Sequence, residues 1–237
     1  MLISIVIPTY NEESNISKLL NSIKSNFSGS IKEVLVVDSP SSSDQIQNVV
    51  SSFSFAKLLQ APKAGRAAQM NFGASKASGD VLYFVHADAV LPNGFLMDIH
   101  NAITFGADMG CFRFRFDSPR ILLKINSYFT RFPFLWCRGG DQTLFVKKEV
   151  YHSLLGFDES YCIMEEYDFF RRAQGKYTFK VLENEVLVSD RKYQLNSYFK
   201  VQLANFKAMQ SFMKGQKSPE KIKEEYDKTL NSNYQIL

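Results

Sequence analysis

Three apolar runs in the first half of the chain each stop at a polar group. Ile3-Ser4-Ile5-Val6-Ile7 leads into Pro8-Thr9-Tyr10-Asn11-Glu12, Val34-Leu35-Val36-Val37 stops at Asp38, and Val81-Leu82-Tyr83-Phe84-Val85 stops at His86-Ala87-Asp88. A carboxylate such as Asp38 can accept hydrogen bonds from a ribose hydroxyl or a base N–H, although many strands simply end in a turn-forming Asp. Asp88 can ligate a hard divalent cation whose shell is completed by substrate phosphates. His86 projects to the same side of an extended chain, where it either supports that site or binds the metal. The plainer alternative for His86-Ala87-Asp88 is a cap or turn before Pro92. Lys63 and Arg66 flank Gly65 ahead of a helix. They could pair with a diphosphate at that helix N-terminus, or stand as exposed loop cations. Acidic and basic groups gathered at the carboxyl ends of parallel strands point to nucleotide-dependent chemistry.

The second half adds further candidates. Glu165-Glu166 opens a helix. One carboxylate there can act as a general base, while the competing reading is the ordinary preference of acidic residues for a helix's first turn. Asp168 and Arg172, four apart, read as a surface pair. Gly139-Gly140-Asp141-Gln142 precedes a strand. Its glycines permit close backbone approach, and Asp141 and Gln142 could bind hydroxyls, with a plain turn as the alternative. Asp190-Arg191-Lys192 follows the last strand, within reach of a phosphate or merely solvated.

The elements that must carry these groups are legible from periodicity. Ile16, Leu19, Leu20, Ile23 and Phe27 recur at helical spacing, with Asn11 or Ser14 as cap and Gly29 beyond the end. Ser39 to Ser43 reads as a loop, and Asp44 opens a helix around Ile46, Val49 and Val50. Lys57 to Gln60 reads as a strand, and Ala67 to Ala77 as a small-residue helix stopped by Gly79. Strands alternating with helices imply a parallel sheet with crossovers. After about Ala107 the pattern changes. Gly110 to Phe116 alternates with period two, Thr143 to Val146 is a strand, Glu149 to Leu155 a short helix and Glu165 to Ala173 another. A strand then runs through Val181, Val186 and Val188. Leu195 to Met213 is helical, with Phe199, Leu203, Phe206 and Met209 or Gln210 along one side. Ser218-Pro219 starts a last charged helix as N-cap and first helical residue.

Composition bounds the function. The 237 residues are 45% hydrophobic and 22% charged, as in one globular domain with an appended helical segment. A net charge of +4 with no dense basic run gives no nucleic-acid signature, but suits an anionic donor or an anionic membrane surface. Cys111, Cys137 and Cys162 form no Cys-x-x-Cys pair, which argues against a zinc site or disulfide framework and for a reducing, cytoplasmic setting. The chain enters a strand at once, so no signal peptide is expected. No apolar run reaches the roughly 18 residues of a spanning helix. The stretch Ile121 to Trp136 is aromatic, interrupted by Lys124 and Arg131. It reads either as core or lid over an acceptor cleft, or as an interfacial patch peripheral to the inner face of a membrane.

Taken in order, these segments resemble a family 2 glycosyltransferase of the A-type fold. Ile5-Val6-Ile7-Pro8-Thr9-Tyr10-Asn11-Glu12 is similar to that family's first strand and donor-binding turn, and Val36-Val37-Asp38 to its nucleotide-binding strand end. Gly65-Arg66 with Asn71 and Gly73-Ala74 resembles the next loop and helix. His86-Ala87-Asp88 stands where the family has its Asp-x-Asp metal motif, which leaves Asp88 as principal carboxylate ligand. Glu165-Glu166 stands where it has Glu-Asp, the pair that carries the general base. Gly140-Asp141-Gln142, Arg171-Arg172, Asp190-Arg191-Lys192 and Gly215-x-x-Ser218-Pro219 resemble a bacterial subgroup of small soluble members often found near radical-SAM genes.

The resemblance implies an α/β, single-domain A-type fold: a mostly parallel central sheet flanked by helices, with C-terminal helices. Residues 1–106 would form the nucleotide-sugar-binding half, 107–194 the acceptor and catalytic half, and 195–237 the helical segment. It further implies a metal-dependent, inverting transfer from a nucleoside-diphosphate sugar, with UDP favoured by the resemblance alone. In that reading Pro8, Thr9, Tyr10, Glu12, Asp38, Lys63, Arg66, Ala87, Asp88 and Arg191 contact the donor. Asp88 and His86 hold Mn2+ or Mg2+, Glu166 or Glu165 is the base, and Asp141 and Gln142 meet the acceptor. Two alternatives remain: a sugar-phosphate nucleotidyltransferase, whose usual Gly-rich opening loop Pro8-Thr9-Tyr10-Asn11 lacks, and a non-catalytic nucleotide-sugar-binding scaffold. A dinucleotide oxidoreductase is disfavoured, since no Gly-x-Gly-x-x-Gly follows the first strand.

Overall fold

The computed structural model describes residues 1–138, 142–215 and 217–230. Its centre is a seven-stranded sheet built from β1 (Ile3–Thr9), β2 (Ile31–Asp38), β3 (Ala56–Gln60), β4 (Val81–Phe84), β5 (Met109–Phe116), β6 (Leu144–Lys147) and β7 (Phe179–Val188), in the order β3-β2-β1-β4-β6-β5-β7. β1 pairs parallel with β2 and β4, β2 with β3, and β5 with β7, while β6 runs antiparallel to both β4 and β5. Six strands therefore point one way and β6 opposes them. The chain builds outward from β1 to β3, then returns to the other side of β1 with β4. That reversal is a topological switch point, where the loops diverge and leave a crevice at the strands' carboxyl ends. Thr9, Asp38 and the segment after Phe84 all end on this edge.

Every residue of β1 is buried, as expected of a strand covered on both faces. Ile3, Ile5 and Ile7 join a core cluster with Ile16, Leu19 and Ile23 of α1 (Glu13–Ser25). Val6, on the opposite face, packs with Ala67, Met70 and Ala74 of α3 (Arg66–Lys76). The small residues of α3 let its backbone settle close to the sheet: a Cβ on Gly73 would lie 2.4 Å from Val6 Cγ1. α1 is not capped by Asn11 or Ser14. Its Glu13 N–H donates to Asp44 at 2.8 Å, while Gln45 N–H donates back to Glu13 at 3.1 Å, so the start of α1 and the loop before α2 (Ile46–Val50) cap each other.

Beyond β4 the chain adds α4 (Phe95–Thr104), α5 (Ile121–Phe129), a 3-10 turn (Leu135–Cys137), α6 (Lys148–Ser153), α7 (Glu165–Ala173), α8 (Arg191–Leu195), α9 (Tyr198–Lys214) and α10 (Pro219–Thr229). The Asp168–Arg172 pair is not superficial. Asp168 is buried, accepting from Arg171 and Arg172, and Arg172 also donates to the carbonyls of Leu154 and Gly156. That clamp fixes the loop that leads into α7. α9 buries Val201, Ala204, Ala208, Ser211 and Phe212 and turns Phe199, Leu203, Phe206 and Met213 outward, so the large apolar stripe is not its packing face.

Gly110 is the tightest point of the sheet. A Cβ there would stand 2.2 Å from the Lys180 carbonyl oxygen on β7 and 2.4 Å from Phe145 on β6. Backbone cannot yield as a side-chain tip can. Gly110→Ala should therefore cost about 1–3 kcal/mol in urea unfolding, whereas Gly29→Ala, with nothing within 4 Å, should change stability by less than about 0.5 kcal/mol.

Candidate active site

The donor end begins where β1 and β2 finish side by side, with Thr9 in register with Asp38. The buried Asp38 carboxylate accepts from Thr9 Oγ1 at 3.0 Å and from Ser42 Oγ at 2.7 Å. Burial raises its pKa above the ordinary carboxylate value despite those two donors. Behind it, the fully buried Gln69 of α3 donates from Nε2 to the carbonyls of Thr9 and Val37, both at 2.8 Å. These oxygens sit at the ends of adjoining strands, and one side-chain amide spans both. The turn after β1 needs a left-handed residue, supplied by Asn11 at φ 51°, whose side-chain oxygen accepts from Ser43 N–H at 2.8 Å. Pro8 is buried and Tyr10 half-buried. Glu12 is bound at one oxygen by Asn15, at 2.6 Å, and at the other by Arg191, at 3.0 Å. Arg191 is thus tied to the opening turn.

The charged centre lies beside this end. Met164 adopts φ 71° immediately before α7 and swings Glu165 and Glu166 inward as the helix begins. Both carboxylates are buried. Arg66, first residue of α3, donates from Nε to Glu165 and places Nη2 3.7 Å from Glu166. His86 Nε2 approaches Glu166 Oε1 at 3.4 Å. Burial alone would push Glu166 up, but Arg66 and His86 outweigh it and hold that carboxyl well below the usual range. Glu165 moves the other way, raised by burial first and by the neighbouring Glu166 charge, with Arg66 opposing. The two carboxylates share one guanidinium and titrate as a pair.

A cavity of about 440 Å³ opens from this centre, and Arg66, Asp88 and Glu166 all line it. Glu165 is completely enclosed, so of the two carboxylates Glu166 is the one that faces incoming molecules. Asp88 brings one carboxylate to the cavity wall. Among the described residues no group of three or more His, Cys, Asp or Glu is arranged to hold a metal. That donor set fits a Mg2+- or Mn2+-type ion that keeps waters and shares substrate phosphates, not a cage made wholly of protein. His86, expected with Asp88 either to support the metal site or to bind the ion, has its Nε2 3.4 Å from Glu166 Oε1.

Other expected contacts are placed differently. Lys63 is exposed and pairs with Glu159 at 3.1 Å, away from the cavity wall. Ala87 is buried in the core. Gln142, expected to meet hydroxyls, is fully buried and donates to the carbonyls of Thr130 and Phe112 at 3.0 and 3.3 Å, bracing β5 against the end of α5. Its burial corrects that expectation. Asp141 and the two glycines before it lie outside the described residues.

Apart from Lys192, the far wall was not anticipated from the sequence. It comes from the C-terminal helices: Gln202, Asn205 and Phe206 of α9, and Tyr226 of α10, together with Lys192 and Tyr193. Tyr226 Oη accepts from Lys192 at 3.1 Å and donates to Asn205 at 3.0 Å. In the sequence Gln202 and Asn205 are two of several polar residues of α9, so nothing in its pattern set them apart as cavity wall.

Removing Arg66 leaves two buried carboxylates without their cation. Arg66→Met should cost about 3–5 kcal/mol at pH 7. The pH dependence has a sign. In the parent, the lowered Glu166 contributes stability above the unfolded carboxylate value, about pH 4.3, and loses it as pH falls through the folded value. In the variant both carboxyls are raised by burial, so their contribution is present at low pH and lost as pH rises. The gap between parent and variant melting temperatures should narrow on acidification toward pH 4.3. A gap that widens would contradict the assignment.

Comparison with known proteins fits this geometry. Residues 4–154 match the profile of Glycosyl transferase family 2. Dolichol-phosphate mannosyltransferase of Pyrococcus furiosus is 30% identical over 112 residues, a match covering 46% of this chain and 32% of that protein. The matched stretch thus spans about a third of that relative's length. Among solved structures, S. aureus TarS in complex with UDP superposes with a TM-score of 0.67 at 18% identity, covering 97% of this chain and 70% of that one. Mannosyltransferase PcManGT from Pyrobaculum calidifontis, in complex with GDP-Man and Mn2+, superposes with a TM-score of 0.64 at 18% identity, covering 94% and 67%. At such identities the likeness speaks for the fold, the glycosyltransferase A-type architecture expected above. With the profile matched across β1 to α6, the chain belongs to glycosyl transferase family 2.

Proposed function

We propose that this chain transfers a sugar from a nucleoside-diphosphate sugar to an acceptor hydroxyl with inversion at the anomeric carbon. The observation that carries the reading is the meeting of Glu166, Asp88 and Arg66 on one cavity, with Arg66 opening the same helix whose Gln69 ties the ends of β1 and β2. Asp38, with Thr9 and the turn from Pro8 to Glu12, is assigned to the nucleoside. Asp88 is assigned to a divalent ion, which when bound neutralises charge on the diphosphate. Glu166, held ionised by Arg66 and His86, takes the proton from the acceptor hydroxyl as its oxygen attacks the anomeric carbon. The bond from that carbon to the diphosphate oxygen breaks, and the nucleoside diphosphate leaves with the electron pair. Arg66 and Arg191 stand as the cations that can offset the developing charge. The TarS complex makes a UDP-sugar the first donor to assay, and the PcManGT complex makes GDP-mannose the second. Turnover of neither, with tight binding of one, would favour the scaffold reading.

Glu166→Gln keeps the shape and removes the base. Donor binding by calorimetry should persist while transfer falls by about 10²–10⁴-fold. Because Arg66 and His86 hold Glu166 well below the usual carboxylate range, the parent's transfer rate should stay level as pH drops through 5, and a rate halved near pH 6 would count against this assignment. The Glu165→Gln variant separates the pair, since an active Glu166→Gln and a dead Glu165→Gln would reverse the roles.

Asp88→Ala should leave the melting temperature within about 2 °C, since the residue stands beyond a strand end and not in the core. It should also remove the Mn2+-dependent gain in nucleotide affinity. Equal nucleotide affinity of the parent with and without Mn2+ would overturn the metal assignment.

A further inference from the structure

Two helices beside the cavity bury the wrong face for a free-standing protein. α5 buries Leu123 and Ser127 and exposes Ile121, Leu122, Ile125, Tyr128 and Phe129. α9 buries Val201, Ala204, Ala208, Ser211 and Phe212 and exposes Phe199 (74%), Leu203 and Phe206 (64%). After α5, the segment around the 3-10 turn exposes Phe134 and Trp136, whose rings stack 5.8 Å apart with 5° between their planes, and Trp136 lies 6.2 Å from the Phe129 ring of α5. Single exposed apolar side chains are ordinary, but clustered large ones mark an interaction surface.

The two helices form one rim. The Tyr193 hydroxyl accepts from Asn126 of α5 and from Gln202 of α9, each at 3.2 Å, and so links them. Phe129, Trp136 and Phe206 are at once exposed and part of the cavity wall. The apolar surface therefore reaches the cavity and continues into its wall at these three residues.

Charge selects the occupant. Residues 118–140 carry four cations and residues 191–219 carry six, and neither segment contains an Asp or Glu. The rest of the chain is left with eighteen Lys and Arg against twenty-four Asp and Glu, so the whole positive excess resides on these two segments. Lys124, Lys207 and Lys214 are exposed on the same helices as the apolar residues, and Arg131 lies over the Tyr128 ring at 3.7 Å. Arg138 is buried, Arg191 pairs with Glu12 and Lys217 with Glu225, so the cations of this face are the exposed lysines and Arg131. Aromatic groups alongside them match the boundary layer of an anionic bilayer, where rings enter the headgroup region and lysines meet lipid phosphate. No helix among the described residues is long and apolar enough to cross a membrane, so the contact is one of seating and not of spanning.

We propose that α5, the 3-10 turn and α9 form an interfacial face that seats on an anionic membrane with the cavity mouth against the lipid. If the transfer reading above holds, this face presents the site to an acceptor carried at that surface. The face itself is tested without any assay of transfer. The full chain is sedimented with phosphatidylcholine vesicles and with vesicles containing phosphatidylglycerol, at low and high salt. Binding is expected only to the anionic vesicles and should weaken as salt rises. Phe134→Ser/Phe199→Ser and Lys207→Glu/Lys214→Glu involve no residue of the cavity wall. Each pair should weaken vesicle binding roughly tenfold or more while retaining the parent's melting temperature and nucleotide binding. Absence of sedimentation at low salt would overturn the proposal, as would binding that neither pair weakens. So would a stable dimer by light scattering that Phe134→Ser/Phe199→Ser converts to monomer, because the face would then belong to a second copy of this chain.

Discussion

The site depends on one partly buried guanidinium. Arg66 stands at the start of α3 in the parallel-sheet half, and Glu165 and Glu166 stand at the start of α7, about a hundred residues later. Two carboxylates cannot both stay ionised in a dry interior without a cation beside them. Arg66 supplies it, and in doing so locks the second half of the chain against the first. The left-handed Met164 and the Asp168–Arg172 clamp on the preceding loop serve the same end, since both restrict how α7 can begin. His86 completes the set from the end of β4, so three separate elements converge on a single pair of carboxylates.

A second constraint works on the donor side. Strands pair through their backbones until the ladder must stop, and at that point the last carbonyls need donors. Gln69 provides two from one amide and holds the ends of β1 and β2 at a set separation. Asp38 and Thr9 are thereby fixed before any ligand arrives. A site ordered in advance loses less free energy on binding, because its side chains need not be immobilised then. The close packing of α3, permitted by Gly73 and its neighbouring alanines, is what brings Gln69 and Arg66 onto the sheet together.

The C-terminal helices finish the cavity and expose an apolar rim. α9 buries Val201, Ala204, Ala208, Ser211 and Phe212, the last packed against Tyr161 and Tyr167, and α10 buries Ile222 and Tyr226. Phe199, Leu203 and Phe206 of α9 are left outward. An outward aromatic stripe alongside lysines carries a cost in water that a soluble monomer gains nothing from, which is the physical basis for assigning it a partner.

By itself the sequence determined the local elements and the nature of the sheet. Period-two and period-3.6 apolar patterns depend only on neighbouring residues, so β1, β2, β4, α1, α3 and α7 were legible, as were the strand ends at Asp38 and Asp88. The motif order from Ile5 to Glu166 was enough to indicate the family. Tertiary structure decided everything that rests on pairing across long loops. It set β6 antiparallel in an otherwise parallel sheet, turned His86 toward Glu166, buried Gln142 as a brace and capped α1 from Asp44 instead of from its own flank. It also decided which face of α9 is covered: Val201, Ala204, Ala208 and Phe212 are buried while Phe199, Leu203 and Phe206 are exposed. Periodicity reveals which side of a helix is apolar, but which side the protein covers depends on the shape of the groove waiting for it, and that shape is made by residues distant in the chain.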